Sequence, residues 1–435
     1  MKRQAYDKLL LWKKSECRKP LILNGARQTG KTWLLRTFGT FEYKKTAYIN
    51  CEKNKVIKDL FLDYNMERII RVISALTEVD VEPENTLIIF DEIQSVPDGL
   101  SSLKYFCEDA PQYHVAVAGS LLGIALHEQT SFPVGKVDMI RIYPMNFEEF
   151  MLAMGKSNML DILHQQDYAA MRNLEQQFID LLRQYYFVGG MPAVVLAHSN
   201  GEGPNAVRSI QKQILFDYSK DFSKHAPTKE VPRINMVWQS IPSQLAKDNK
   251  KFIYGAMKKG ARATEFEIAI QWLIDMGLIY KVNRIKKPVI PLKFYEDFSA
   301  FKLFTLDCGL MGALSEVPAG LILTGSSIFQ EYKGAFTELY VLQQMTTVDS
   351  ISVYYFSTDD SRTEIDFVVQ VGEHVVPIEV KAEENLRAKS LKQYVSANPE
   401  LKGIRFSMAP YRDQEWMKNI PLFAVLPELK NIVEQ

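Results

Sequence analysis

Apolar residues fall at two distinct periods along this chain, and the change of period divides it. From the N-terminus to about residue 150, short apolar runs alternate with stretches of helical spacing. The runs Leu21–Asn24, Thr46–Cys51, Thr86–Phe90, His114–Gly119 and Lys136–Tyr143 are predicted strands. Strands that alternate with helices predict a parallel sheet covered on both faces. From 145 to 205 the helical period dominates, with Phe147–Phe150 and Tyr168–Phe187 as helices and Gly189-Gly190-Met191-Pro192 as a break. Ala263–Tyr280 is again helical in spacing, through Phe266, Ile270, Leu273, Ile274 and Leu278. Leu278–Val282 is a predicted strand, and Lys293–Phe298 and Phe301–Asp307 are predicted as a strand pair. Helices followed by a hairpin predict a winged helix. The last stretch predicts a helix over Phe329–Met345, strands over Ser352–Phe356, Glu364–Val369 and Val375–Lys381, and a helix over Ser390–Ser396. Strands over Gly403–Met408 and Leu422–Leu426 complete it.

Gly25-Ala26-Arg27-Gln28-Thr29-Gly30-Lys31-Thr32 separates the first predicted strand from a helix that opens at Trp33. The spacing fits the phosphate-binding loop G-x-x-x-x-G-K-[ST]. Its glycines let backbone N–H groups curl around a phosphate, and the helix N-terminus adds its dipole. Lys31 is expected to reach the β- and γ-phosphates and Thr32 to ligate Mg²⁺, with residues 25–33 forming the ATP site. The apolar run 86–90 ends in Asp91-Glu92. Asp91 is expected to hold Mg²⁺ and Glu92 to polarise the attacking water. In a parallel sheet both motifs lie at the carboxyl ends of strands, where ligands bind. Ser120, at the end of the fourth strand, is the candidate sensor of the γ-phosphate.

The chain has 435 residues, 47% apolar and 24% charged, room for two to four domains. Its formal net charge is zero, so any nucleic-acid or membrane surface has to be local. Four cysteines, none in a C-x-x-C pair, indicate neither a zinc site nor a disulfide framework. No run reaches the ~18 apolar residues of a membrane span. A reducing cytoplasm is the expected setting. Lys247, Lys250, Lys251, Lys258, Lys259 and Arg262 cluster before the expected recognition region, and Arg284, Lys286 and Lys287 follow it. Contact with the phosphates of double-stranded DNA is the functional reading, and a solvated helix face the plain one.

Near the C-terminus a second set of reactive residues gathers. Asp366 and Glu379 fall on neighbouring predicted strands, Lys381 shares a strand face with Glu379, and Glu338 sits on the preceding helix. Asp366 and Glu379 are hard oxygen ligands suited to a second divalent metal. Lys381 is placed to act on a water attacking a phosphodiester. The apolar neighbours Ile365, Phe367, Ile378 and Val380 lead us to expect these acids on an open face. A salt-bridged sheet surface is the alternative.

The segments Gly25–Thr32, Ile89–Gln94, Ala118–Leu122, Tyr143–Phe150 and Phe187–Pro192, with the C-terminal part, resemble bacterial and archaeal AAA+-like P-loop ATPases fused to a C-terminal domain of unknown function. The resemblance covers nearly the whole chain. It implies an α/β fold: a P-loop NTPase parallel-sheet domain over 1–150, a helical lid over 151–205, a winged-helix segment over 206–310, and a restriction-endonuclease-like α/β domain over 311–435. Glu338, Asp366, Glu379 and Lys381 match the PD-(D/E)xK nuclease pattern. One departure is Gly135-Lys136 where such proteins usually have Gly-Arg; Arg141 and Arg27 are both candidates for the arginine that acts on the γ-phosphate. The expected function is ATP binding and hydrolysis coupled to DNA binding or Mg²⁺-dependent cleavage. The alternative is a non-cutting ATP switch that binds DNA or protein, and a homo-oligomer is left open.

Overall fold

The computed structural model describes residues 1–119, 132–247, 250–324, 330–359, 363–382 and 389–434. It forms two compact units, residues 1–143 with 275–277, and residues 144–274 with 278–435.

The first unit is built on β1 (Leu21–Asn24), β2 (Lys45–Asn50), β3 (Thr86–Asp91), β4 (His114–Ala118) and β5 (Asp138–Arg141). All pairings are parallel, in the order β2-β3-β4-β1-β5. The two-residue period sends alternate side chains to opposite faces. Ile22, Ile88, Phe90 and Val117 pack on one face with Ile69, Ile73 and Phe106. Leu21, Leu23, Leu87 and Ile89 pack on the other with Leu9, Leu34 and Phe38. Both faces are therefore apolar, and the five predicted strands are all present. Because β1 and β3 are parallel neighbours of β4, their carboxyl ends come out on the same edge.

In the second unit, helices from Phe147–Ala153 to Val231–Leu245 precede the helix Ala263–Asp275 and a mixed eight-stranded sheet. Its strands are β6 (Ile279–Ile285), β7 (Glu296–Thr305), β8 (Ile351–Ser357), β9 (Glu364–Val371), β10 (His374–Val380), β11 (Gly403–Ser407), β12 (Arg412–Asp413) and β13 (Met417–Pro421). Their order is β12-β13-β11-β10-β9-β8-β6-β7. The hairpin β6–β7 pairs parallel to β8 through Arg284↔Tyr355 and Ile285↔Phe356. The segments expected as a lid, a winged helix and a terminal domain thus share one compact unit, and the expected boundary at 310 falls behind a hairpin that belongs to the terminal sheet.

Local expectations differ from the structure in three places. Lys293–Phe298 and Phe301–Asp307 are not a strand pair. Glu296–Thr305 is one strand whose register against β6 shifts from Asn283↔Phe301 to Arg284↔Asp297, so the polar break at Ser299 is a bulge rather than a turn. Leu422–Leu426 is a 3₁₀ turn opening the helix Val425–Glu434, with Met417–Pro421 as the strand; apolar runs this short do not separate strand from buried helix. The helix predicted over Tyr168–Phe187 is two, divided at Leu174.

The glycine pair 189–190 is a packing device. A Cβ on Gly190 would lie 2.0 Å from the Met145 carbonyl oxygen. Its N–H donates to the buried Asp307 carboxylate at 2.6 Å, which also accepts from Leu310 N at 2.9 Å and Gln343 Nε2 at 3.2 Å. Gln344 accepts from Phe147 N, and Asn146 and Glu149 form a capping box. Residues 144–150 and 187–192 of these motifs thus serve a buried polar junction of the second unit.

Candidate functional site

Gly25 and Gly30 have φ of 154° and 90°, and a Cβ on Gly25 would lie 2.1 Å from the Ile142 carbonyl oxygen. Only glycine fits the start of this loop. Thr29 Oγ1 closes the turn by donating to Ala26 O at 2.8 Å. From outside, Arg3 holds the loop by donating to Thr29 O at 2.9 Å and Tyr143 O at 2.7 Å. The helix Lys31–Glu42 begins directly after, so its first N–H groups face the loop's mouth. Ala26 is buried, Gln28 lies at φ 67°, and Arg27 and Trp33 are exposed.

Lys31 is buried, and its ammonium donates to Gly25 O and Ala26 O at 2.8 Å each. Burial lowers its pKa to about 8, against the opposing charges of Glu92 and Asp91. Thr32 Oγ1 donates to Asp91 at 3.0 Å, joining the end of β3 to the helix after β1. A hydroxyl and a carboxylate that converge from two elements are a fitting pair for Mg²⁺, and Lys31 with the loop N–H groups is a fitting cradle for the β- and γ-phosphates of ATP. Burial raises the Asp91 pKa, while hydrogen bonds from Tyr48 and Thr32 oppose the rise. Tyr48 Oη donates at 2.8 Å. Sequence reasoning missed Tyr48, since nothing in β2 alone shows which β3 residue it will reach.

Glu92 follows with φ 55° and ψ 44°, a left-handed conformation that costs a non-glycine residue about 1–3 kcal/mol. Its N–H donates to Ala118 O at 2.7 Å, and its carboxylate accepts from Gln94 at 2.5 Å. The strained turn gives the two acids different partners: Asp91 takes Thr32 and Tyr48, and Glu92 takes Gln94. Ser120 lies outside the described residues. Lys136 pairs with Glu108 at 2.8 Å, and Arg141 is exposed above the Tyr143 ring.

The second candidate cluster is brought together, but with added members. The β9–β10 register, ending at Phe367↔Ile378, sets Asp366 opposite Glu379 at its next step. There Asp366 Oδ2 accepts from Val380 N at 2.7 Å. Lys381 pairs with Glu379 at 2.7 Å. Glu338, on the helix Gln330–Met345, pairs with Lys250 and lies 3.8 Å from Lys302, which itself contacts Glu364 at 2.5 Å. The expected open face is found only in part: Asp366 and Lys381 are half-buried, whereas Glu338 and Glu379 are 3% and 5% exposed and Lys302 is wholly buried. Lys250, expected at DNA, is turned inward to Glu338.

Burial works against ionisation of Glu338, but Lys250 and Lys302 outweigh it and hold the carboxyl below its ordinary value. Burial, then the charge of Glu338, pushes Asp366 up to about 7. Lys381 is raised despite burial, chiefly by Glu379 and Asp366. Among the described residues no three acids, histidines or cysteines converge as a metal site. Each glutamate of the cluster faces an ammonium, so as folded the residues do not fit a divalent ion. Lys302, Glu364 and Lys250 were missed because ion pairs between distant elements leave no local pattern.

Residues 17–151 match the AAA domain family, 179–320 a domain of unknown function (DUF8612), and 333–425 another (DUF4143). No curated protein matches. Among solved structures, the Walker-type ATPase of Pyrococcus abyssi aligns at 13% identity, over 72% of this chain and 95% of its own, with a TM-score of 0.45. Cdc6p from Pyrobaculum aerophilum aligns at 13% identity over 74% and 93%, with a TM-score of 0.29. The Orc1 protein of Aeropyrum pernix, solved with DNA, aligns at 14% over 74% and 92%, with a TM-score of 0.26. The AAA match encloses both the phosphate loop and the Asp91-Glu92 pair. The N-terminal unit is an AAA-type P-loop ATPase domain, a family that uses ATP and usually Mg²⁺. Among the described residues no helix is long and apolar enough to cross a membrane.

Proposed function

We propose that this protein is an ATP-driven switch whose nucleotide state controls the grip of its second unit on DNA. The observation that carries the reading is the convergence of Lys31, Thr32 and Asp91 at one sheet edge, with Glu92 beside them and bonded to Gln94 rather than to Thr32. Lys31 and the loop N–H groups bind the phosphates, Thr32 and Asp91 hold Mg²⁺, and Glu92 orients the attacking water. The chemistry Mg²⁺ supplies when bound is neutralisation of charge on the transferring phosphoryl group.

DNA as the partner is supported by local charge. Lys247, Lys258, Lys259 and Arg262 are exposed. The hairpin adds exposed Lys286, Lys287 and Lys293 beside Phe294 and Phe298, 84% and 71% exposed. Its acids are directed inward, Asp297 to Arg284 and Glu296 to Asn283. Cations with accessible aromatic faces are the usual equipment for a phosphate backbone with stackable bases. The test is DNA binding by fluorescence anisotropy, with and without ATP, for wild type and Lys258→Glu/Lys259→Glu. Weaker binding with a shallower salt slope, and a response to ATP, support the reading. Identical affinity at low salt in the reversed variant sinks the DNA assignment.

A second reading, metal-dependent DNA cleavage at Glu338, Asp366, Glu379 and Lys381, is supported by their gathering on one helix and two adjacent strands. The ammonium groups seated on the glutamates favour the non-cutting reading.

A further inference from the structure

We propose that Lys250 is a built-in cation that takes the place of a divalent ion at Glu338, so that the cluster on β9, β10 and the helix Gln330–Met345 rests without metal. The inference concerns the second unit alone and stands whether or not the P-loop turns ATP over.

Four carboxyl groups, Glu338, Glu364, Asp366 and Glu379, meet three ammonium groups, Lys250, Lys302 and Lys381. The lysines differ in their freedom to leave. Lys302 is fully buried within β7 and is part of the core. Lys381 is 37% exposed and can swing to solvent without disturbing the sheet. Lys250 comes from the connection between the helices Val231–Leu245 and Ala263–Asp275, 88 residues before Glu338 in sequence. Its side chain is 16% exposed, and it takes Glu338 Oε1. No strand or helix ladder needs that ammonium there.

An acidic cluster alone shows nothing, but here two buried carboxylate oxygens lack a hydrogen bond. Glu338 Oε2 and Glu379 Oε2 are buried and have no hydrogen-bond partner among the described residues. Buried acceptors left without donors are unfavourable, and a divalent ion on Glu338 would bind its second oxygen as well as its first. An ammonium has three donors and one charge; a divalent ion brings two charges and binds hard oxygens directly. Lys250 therefore neutralises Glu338 through Oε1, while Oε2 faces the Lys302 ammonium at 3.8 Å without a hydrogen bond. A divalent ion would have to displace it and also accept the repulsion of Lys302 and Lys381.

The experiment is a Mn²⁺ titration of the full chain without nucleotide, followed by the electron paramagnetic resonance signal of free Mn²⁺. Wild type, Lys250→Met, Glu338→Gln and Lys250→Met/Glu338→Gln are compared. Differences that depend on Glu338 separate this site from any ion at the P-loop. Lys250→Met is expected to gain one site at least about tenfold tighter than any Glu338-dependent binding in wild type, one removed repulsive charge being sufficient. Adding Glu338→Gln is expected to abolish the gain. Wild type that already holds Mn²⁺ through Glu338 as tightly, or a folded Lys250→Met that gains none, overturns the proposal. If Lys250→Met fails to fold, melting of wild type decides. A midpoint that Mn²⁺ raises in wild type but not in Glu338→Gln also overturns it, and the same small response in both supports it. Loss of ATP turnover would leave each of these outcomes unchanged.

Discussion

Replacing Lys302 by methionine removes an ammonium from the interior while keeping the shape of its stem. Lys302 is fully buried, 2.5 Å from Glu364 and 3.8 Å from Glu338. At an effective dielectric constant of about 20, Coulomb's law gives about 7 kcal/mol for the shorter contact and about 4 for the longer. The desolvation of each ion removes several kcal/mol from that sum, and breaking one side of a buried pair costs about 3–5 kcal/mol net. Lys302→Met is therefore expected to destabilise the second unit by about 3–5 kcal/mol. Lys302→Met/Glu364→Gln should recover part of the loss, because the stranded carboxylate is gone. Urea unfolding followed by tryptophan fluorescence reads the change, since Trp238, Trp272 and Trp416 all lie in this unit. Its acids raise the pKa of Lys302 in the folded state above the unfolded value. The stabilisation is then fully present below about pH 10.4, the unfolded value, and is lost as pH rises through the folded one. Stability of the single variant within 0.5 kcal/mol of wild type, or no recovery in the double variant, would refute the reasoning.

Four further expectations follow from the same geometry. Lys31→Ala should weaken Mg-ATP binding about tenfold or more by calorimetry, through loss of a charge-assisted phosphate contact of about 1.5–3 kcal/mol. Because burial lowers the Lys31 pKa to about 8, wild type should take up a proton on binding ATP above that pH, read as a buffer-dependent enthalpy that Lys31→Ala lacks. Tyr48→Phe should cost the first unit about 1–2 kcal/mol in urea unfolding, since it strips a donor from buried Asp91. Gly190→Ala should destabilise the second unit by about 1–3 kcal/mol or more, because the added methyl meets the Met145 backbone rather than a movable side chain.

The ATPase unit was legible because its signals are local. Each of its strands is a continuous apolar run, and the phosphate loop and Asp91-Glu92 sit directly at strand ends. The second unit was less so. The β6–β7 hairpin looks like an independent wing, since its link to β8 is a pairing between residues some 70 apart that no local period encodes. The acids at 338, 366 and 379 were found because strand alternation and motif order place them. Their accessibility was misjudged, because Lys250 and Lys302 arrive from elements whose own patterns carry no mark of a buried ion pair. Tyr48 escaped for the same reason.

The sharpest test of the ATPase assignment is turnover by Glu92→Gln beside wild type, in Mg²⁺, with ATP affinity measured on the same samples. Wild type should hydrolyse ATP. The variant should bind ATP with unchanged affinity and turn it over about 10²–10⁴-fold more slowly, because binding rests on Lys31, Thr32 and Asp91 while Glu92 serves only the attacking water. Turnover at the wild-type rate, or affinity lost together with activity, would contradict the division of labour between Asp91 and Glu92.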